Sequence, residues 1–329
     1  MNVLILGGTR FVGRHIVECF VRSGHRVVCF HRGQTTWTLP AEVEERFGDR
    51  NEDLGAVSSE RWDAIVDTSC YRPEQMRRSL ELRTDRYLLI STVSVYRDLA
   101  ARGITEEAPT IETFDPSDEA ASYGGNKAAC ERLLIERHPG RQLILRPGLI
   151  AGRWDGTGRF TYWCERLLRG GRVLAPGTAS RPVQFIDAAD LARFAERALA
   201  TRRGGIFNVV GPAAPTTMGE LFDACARVAA ERGAPPATFV WADGTFLAEH
   251  GVEPWLDMPL WLDDSRYAGL LEIDNAKALA AGLETRAITE TVRSVLDWTQ
   301  TEAPATRVGI SAERETQLLE KLSQAREGL

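Results

Sequence analysis

Tyr123 and Lys127 stand four residues apart in Tyr123-Gly-Gly-Asn-Lys127. On a helix that spacing puts a phenol and an ammonium on one face, with Cβ atoms about 6 Å apart. A free phenol ionises near pH 10, too high for easy proton exchange at neutrality, and a nearby cation favours the phenolate. A shift of about three units needs about 4 kcal/mol of differential interaction. So tuned, Tyr123 can serve as acid or base for a carbinol–carbonyl pair, with Lys127 tuning it. The chain has six tyrosines, and its 40 basic residues include only three lysines (Lys127, Lys277 and Lys321). Chance therefore predicts about 0.05 such pairs, so the motif carries weight.

A third group precedes this pair. Ile90-Ser-Thr-Val-Ser-Val-Tyr96 follows the apolar run Tyr87–Ile90, and Ser91, Thr92 and Ser94 all carry a hydroxyl able to orient a substrate oxygen towards Tyr123. Hydride has to come from elsewhere, and the N-terminus offers a place for its carrier. The apolar run Val3–Leu6 is followed at once by Gly7-Gly-Thr-Arg-Phe-Val-Gly13 and then by apolar residues at helical spacing up to Arg22. Unpaired N–H groups and the helix dipole make such a turn a site for a pyrophosphate. Gly7 is expected to permit the tight turn, Gly8 to lie on the exposed bend, and Gly13 to let the helix pack on the strand. Cofactor contacts are expected from Gly7, Gly8, Thr9, Arg10, Phe11, Val12, Gly13, His31, Arg32, Asp49, Arg50, Thr68, Ser91, Tyr123, Lys127, Pro147 and Gly148. Asp49 is placed to reach an adenine amino group.

NAD-selective sites usually carry an acid at the end of the second strand. Here that position is His31, followed by Arg32, and Arg10 adds a second cation in the glycine turn. Arginine suits a 2′-phosphate that an acid would repel, so NADP(H) is expected in preference to NAD(H).

These groups need a frame. Strand-like runs at Val3–Leu6, Arg26–Phe30, Val43–Phe47, Asp63–Asp67, Tyr87–Ser91 and Gln142–Arg146 alternate with helical stretches, including one over about 122–137. Alternation of this kind predicts an α/β fold with a doubly wound parallel sheet, whose strand C-termini share the ligand-binding edge. After Pro147 the pattern loosens. Helices are expected at 160–169, 218–232, 275–281 and 287–300, strands at 183–187 and 206–210, and a helix or frayed tail at the end. A dinucleotide-binding domain over 1–150 plus about 183–210, and a smaller interleaved substrate domain over about 151–182 and 211–329, follow from this.

Net charge is −6, which argues against a nucleic-acid partner. No apolar run approaches the roughly 18 residues of a membrane span, and the first residues lack a basic, signal-like flank. The five histidines and six cysteines show neither metal-ligand spacing nor a C-x-x-C pair, so no metal, reduced buried thiols and a cytoplasmic location are expected.

The glycine turn, the Ser-Thr-x-x-Val-Tyr segment, Tyr-Gly-x-x-Lys and Leu145-Arg-Pro-Gly148 occur in the order of the extended short-chain dehydrogenase/reductase family, the NAD-dependent epimerase/dehydratase group. The chain resembles that family well over about residues 1–210, and its Gly-Gly-Thr-Arg-Phe turn resembles a divergent branch that includes chloroplast RNA-binding relatives. The resemblance implies Thr92 as the catalytic hydroxyl, Arg146-Pro147-Gly148 on the nicotinamide side, and a possible homodimer. Dehydratase members carry an Asp-Glu pair where this chain has Val93 and Ser94, which disfavours dehydration. Nucleotide-sugar members place an arginine where this chain has Val183, with Arg181 two residues away. The expected activity is hydride transfer between nicotinamide and a secondary alcohol or ketone of a sugar-like or cyclic small molecule. The alternatives are a simple NADPH-dependent ketone reductase and a non-catalytic cofactor-sensing or RNA-binding protein.

Aromatic residues crowd the C-terminal part. Ser94, Arg181, Trp163 and Trp255 are the candidate substrate contacts, and a covering loop is expected over 251–265.

Overall fold

The computed structural model describes residues 1–113, 119–302 and 308–327, with side chains of helical residues from 122 onward in the stretch that begins at 119. The chain divides into two compact units. The first comprises Met1–Leu149, Ala188–Val210 and Ile273–Glu284; the second comprises Ile150–Asp187, Gly211–Glu272 and Thr285–Leu329.

In the first unit, β1 (Asn2–Leu6), β2 (Arg26–His31), β3 (Glu44–Phe47), β4 (Arg61–Asp67), β5 (Arg83–Ile90) and β6 (Gln142–Pro147) form a sheet with a seventh strand, Gly205–Val209. Its order is β3-β2-β1-β4-β5-β6 and then Gly205–Val209, and every pairing is parallel. Helices α1 (Phe11–Arg22), α2 (Gly55–Ser58), α3 (Pro73–Ser79) and α4 (Glu119–Arg137) supply crossovers. The order reverses between β1 and β4, which opens a crevice at the C-terminal edge. Val3, Leu4, Ile5 and Leu6 are fully buried, as expected of a strand covered on both faces. Leu4, Leu6, Ile65, Tyr87, Leu89 and Ile144 join Trp62, Met76 and Leu134 in one core cluster.

Two boundaries differ from expectation. The stretch 183–187 does not enter the large sheet: Pro182–Val183 pairs with Thr216–Thr217, and Ile186–Asp187 pairs with Ile150–Ala151. The residues between them break the run, and the Phe185 N–H donates to the Gly211 carbonyl instead of a ladder. Conversely, Ile273–Glu284 joins the first unit. Its Asp274 N–H donates to Ile104 at 3.1 Å, and Asn208 Nδ2 donates to the Asp274 carbonyl at 3.1 Å.

The second unit packs helices Arg159–Leu168, Met218–Glu231 and Ile288–Glu302 with a parallel strand pair, Gly171–Pro176 and Ala237–Ala242. The terminal stretch is the helix Ala312–Glu327, with Leu318, Leu319 and Leu322 buried. A buried ion pair fastens it, Arg166 Nε to Glu315 at 2.6 Å.

Candidate active site

The glycine turn joins β1 to α1. Gly7 adopts φ +100°, and a Cβ there would lie 2.7 Å from Ser69 and 2.8 Å from the Thr68 hydroxyl, so only glycine fits. Thr68 itself is tied inward, donating its hydroxyl to the Leu6 carbonyl at 3.1 Å. Gly8 is buried rather than on an exposed bend: it packs between Cys29 and Val17, and Gly13 backs directly onto its Cα. Thr9 is buried, Phe11 and Val12 are half-buried, and Arg10 is exposed. Among the described residues no side chain caps α1 and its first turn holds no acid; the Gly13 N–H is taken by the Arg10 carbonyl at 2.8 Å, which leaves the Phe11 and Val12 amides at the helix start for an anion.

At the end of β2, both nitrogens of His31 are engaged. Nδ1 accepts the Gly33 N–H at 3.1 Å, so Nε2 carries the proton and donates to Glu45 at 2.9 Å. An acid therefore does stand beside this strand end, but it comes from β3. Arg32 is half exposed, 4.0 Å from Asp49. Asp49 accepts from the Asn51 backbone and side chain at 2.8 and 2.7 Å, and these bonds hold its carboxyl below the usual range.

Arg50 does not reach outward. Its guanidinium grips Asp67 at 2.5 and 2.8 Å and donates to Ser69 Oγ at 3.0 Å. Asp67, fully buried at the end of β4, also accepts Tyr87 Oη at 2.6 Å. Burial would raise its carboxyl, but Arg50 outweighs that and holds it low. Ser91 likewise turns inward, donating to Glu131, and Glu131 forms a buried pair with Arg146 at 2.6 Å. Arg146 also donates to Tyr96 Oη at 3.1 Å, so it braces the core rather than lining the crevice. Pro147 ends β6 and is buried; Gly148 is half-buried, with Val210 3.1 Å from where its Cβ would stand.

Thr92 and Tyr123 do come together. Thr92 follows β5, accepts the Ser94 N–H at 3.1 Å and donates to Ser94 Oγ at 3.1 Å. Tyr123 is 42% exposed. Desolvation of its hydroxyl and the neighbouring Tyr71 push its pKa up, while a hydrogen bond with Thr92 pulls it down. The approach of α4 depends on Gly124, where a Cβ would meet the Ser94 carbonyl oxygen at 2.2 Å.

Lys127 departs from the expected pairing. Its ammonium is almost fully buried and donates to the Ile90 carbonyl at 2.6 Å and the Cys70 carbonyl at 2.9 Å, tying together the exits of β4 and β5. A buried ammonium needs acceptors, and these carbonyls supply them. Burial lowers its pKa, partly offset by the nearby Cys70, Asp67, Cys130 and Glu131. Its outward neighbour is Tyr71, whose ring centroid lies 5.3 Å from Nζ. Tyr71 is 51% exposed, and Arg10 acts on its phenol electrostatically. Sequence reasoning missed Tyr71; its position just past the end of β4, on the ligand-binding edge, was the available signal.

The candidates in the second unit belong to its packing. Trp163 is buried, donates Nε1 to the Pro259 carbonyl at 2.7 Å and lies 4.5 Å from the Phe222 ring, so it is core. Arg181 lies 3.9 Å from Asp263. Trp255 is half-buried, with the Arg159 guanidinium 5.1 Å from its ring. The expected covering loop is held down by Val252, Met258, Leu260 and Trp261, all buried.

The model of the NAD dependent epimerase/dehydratase family matches residues 3–211. The chain belongs to that family. Among curated relatives, the chloroplast stem-loop binding protein of 41 kDa b from Arabidopsis thaliana is 26% identical over 255 residues. That match covers 71% of this chain and 64% of the relative, so the chain spans just under two thirds of that relative's length. The epimerase family protein SDR39U1 of Mus musculus is 25% identical over 250 residues, covering 68% of this chain and 79% of that one. Among solved structures, one described as a putative epimerase from Burkholderia cenocepacia J2315 is similar in fold, with TM-score 0.66 and 18% identity over 90% of this chain and 97% of that chain.

Proposed function

We propose that this family member is an oxidoreductase of the epimerase/dehydratase type, moving hydride between a nicotinamide and a secondary alcohol or ketone of a sugar-like or cyclic small molecule. The observation that carries the proposal is that the Thr92 hydroxyl lies near enough to the Tyr123 phenol to lower its pKa, at the sheet edge and on the same compact unit as the glycine turn.

The residues fit a dinucleotide. The uncapped, acid-free N-terminus of α1 and the exposed Arg10 suit its pyrophosphate, and Gly7, Gly8 and Gly13 keep side chains off the turn. When bound, the nicotinamide supplies the site that gives or takes hydride. On substrate binding the Thr92 hydroxyl turns its proton from Ser94 Oγ to the substrate oxygen and orients it. Tyr123, held protonated at neutral pH, donates its proton to that oxygen as a carbonyl is reduced. Lys127 fixes the strand ends on which Thr92 and Tyr71 are mounted. Ser94 orients the Thr92 hydroxyl and so acts one bond away from the substrate.

NADP(H) is favoured over NAD(H). Arg32 is half exposed, Arg10 is exposed, and Glu45, the acid that β3 brings beside the end of β2, is already engaged with His31. A simple NADPH-dependent ketone reductase is the second form of this activity, favoured by a phenol poised to donate rather than accept. Val93 and Ser94 leave no acid pair for dehydration. A small-molecule substrate, a cytoplasmic setting and a homodimer complete the proposal; six buried free thiols accord with a reducing compartment. The test is to add NADPH and a panel of cyclic and sugar-like ketones and follow nicotinamide absorbance. Turnover that Tyr123→Phe abolishes supports the proposal. No turnover together with tight, specific binding of an RNA stem-loop would favour the non-catalytic alternative instead.

A further inference from the structure

The far edge of the same sheet carries a second cluster of chemistry. At the N-terminal ends of β4 and β5, Arg61, Arg83, Arg137 and Arg141 line a cavity of about 290 Å³ with two acids, Glu81 and Asp85. Four cations against two anions leave a local surplus of two positive charges, on a chain whose net charge is −6. The surplus is not neutralised within the fold. Arg61 pairs with Asp85 at 2.5 Å, and Arg83 donates to the Ser59 carbonyl. Among the described residues, the side chains of Arg137 and Arg141 make no hydrogen bond or ion pair.

His138 supplies an independent observation. It also lines the cavity and is only 6% exposed, yet neither Nδ1 nor Nε2 has a hydrogen-bond partner. Buried polar groups in folded proteins are almost always paired, and an unpaired imidazole costs free energy. Burial and the charges of Arg141 and Arg137 keep this imidazole neutral. The exposed guanidinium groups supply the charge for a multiply charged anion; the His138 nitrogens are closed off from solvent, so the imidazole reaches such an anion only by turning towards it.

We propose that this cavity is a binding site for a small diphosphate-bearing anion, separate from the cofactor turn. Guanidinium groups hold phosphate oxygens two at a time, and the cavity is concave and of ligand size. It stands apart from the crevice by the length of β4, whose seven residues span about 20 Å. The flanking carboxylates Glu81 and Asp85 and the net negative charge of the chain disfavour a nucleic-acid backbone, which would need a wider basic surface.

The test uses inorganic pyrophosphate as the probe, with the full chain, by calorimetry and by NMR of the His138 ring. Pyrophosphate is expected to bind and move the His138 resonances. Arg137→Gln with Arg141→Gln should weaken that binding at least tenfold while leaving the melting temperature and the NADPH dissociation constant within error of the parent. Absence of binding, or binding that leaves His138 unmoved and survives the double substitution, overturns the proposal. So does an RNA oligonucleotide that binds here, with the same dependence on Arg137 and Arg141, when pyrophosphate does not.

Discussion

The two edges of the parallel sheet handle charge in opposite ways. At the C-terminal edge every buried charge has an answer: Asp67 with Arg50, Glu131 with Arg146, and Lys127 with two carbonyl oxygens. What remains to face the crevice is hydroxyls, those of Thr92, Tyr123 and Tyr71. At the N-terminal edge, the exposed side chains of Arg137 and Arg141 and the buried ring of His138 have no protein partner among the described residues. Satisfied charge gives a rigid platform on which a few weakly acidic groups can be aimed. Unsatisfied charge gives a place that gains by taking up a counter-ion.

The largest effect that would break this contrast is at Tyr123. Tyr123→Phe should lower the kcat for ketone reduction by about 10²- to 10⁴-fold, the usual worth of a positioned proton donor. Retained activity would mean that the aimed hydroxyls are bystanders. The pH profile sharpens the same point. Because the phenol's pKa is raised, reduction should stay level through neutrality, whereas alcohol oxidation, which needs the phenolate, should climb about tenfold per pH unit below that pKa. An oxidation rate that is flat from pH 6 to 9 would place the proton elsewhere.

Next comes the platform. Asp67→Asn leaves Arg50 buried without its partner and should cost about 3–5 kcal/mol by urea unfolding. The parent should follow the matching sign in acid. A carboxyl held below its ordinary value of about 3.9 contributes stability that is present above that pH and lost as the pH falls beneath it. A smaller change is expected at Arg32. If its guanidinium meets a 2′-phosphate, Arg32→Ala should cut the preference for NADPH over NADH by about 10- to 100-fold, in line with one charged hydrogen bond. Equal ratios for parent and variant would remove arginine 32 from cofactor choice. The smallest effect belongs to the far edge. His138→Phe deletes two unpaired nitrogens and should stabilise the fold by about 1 kcal/mol; destabilisation would mean that the imidazole is in fact satisfied.

Local features were legible in the sequence because local rules govern them. The β1–turn–α1 unit, the strand order's ligand edge and the Tyr123–Lys127 spacing all depend on residues close along the chain. The long-range partners were not. Spacing puts Lys127 and Tyr123 on one helix face, but the ammonium's acceptors sit on Cys70 and Ile90, 57 and 37 residues away. Ser91 and Arg50 carry the right groups for a crevice, yet each faces a buried opposite charge or acceptor that arrives from another element, Glu131 and Asp67. Trp163 illustrates the limit on aromatics: composition cannot tell a pocket wall from a core plug, and its partner Pro259 lies 96 positions on. Ile273–Glu284 crosses back to the first unit through backbone bonds that leave no imprint on composition.

Where α4 crosses the loop after β5, main chain meets main chain: the missing side chain at position 124 lets the helix rest on the oxygen of Ser94. The approach of the helix that carries the proton donor to the loop that carries the orienting hydroxyl is thus set by backbone contact. Even the single methyl of Gly124→Ala would wedge the two apart by about an ångström, a displacement known to cost around a hundredfold in rate. Engineering for new substrates should therefore leave that contact untouched and vary the rim around it.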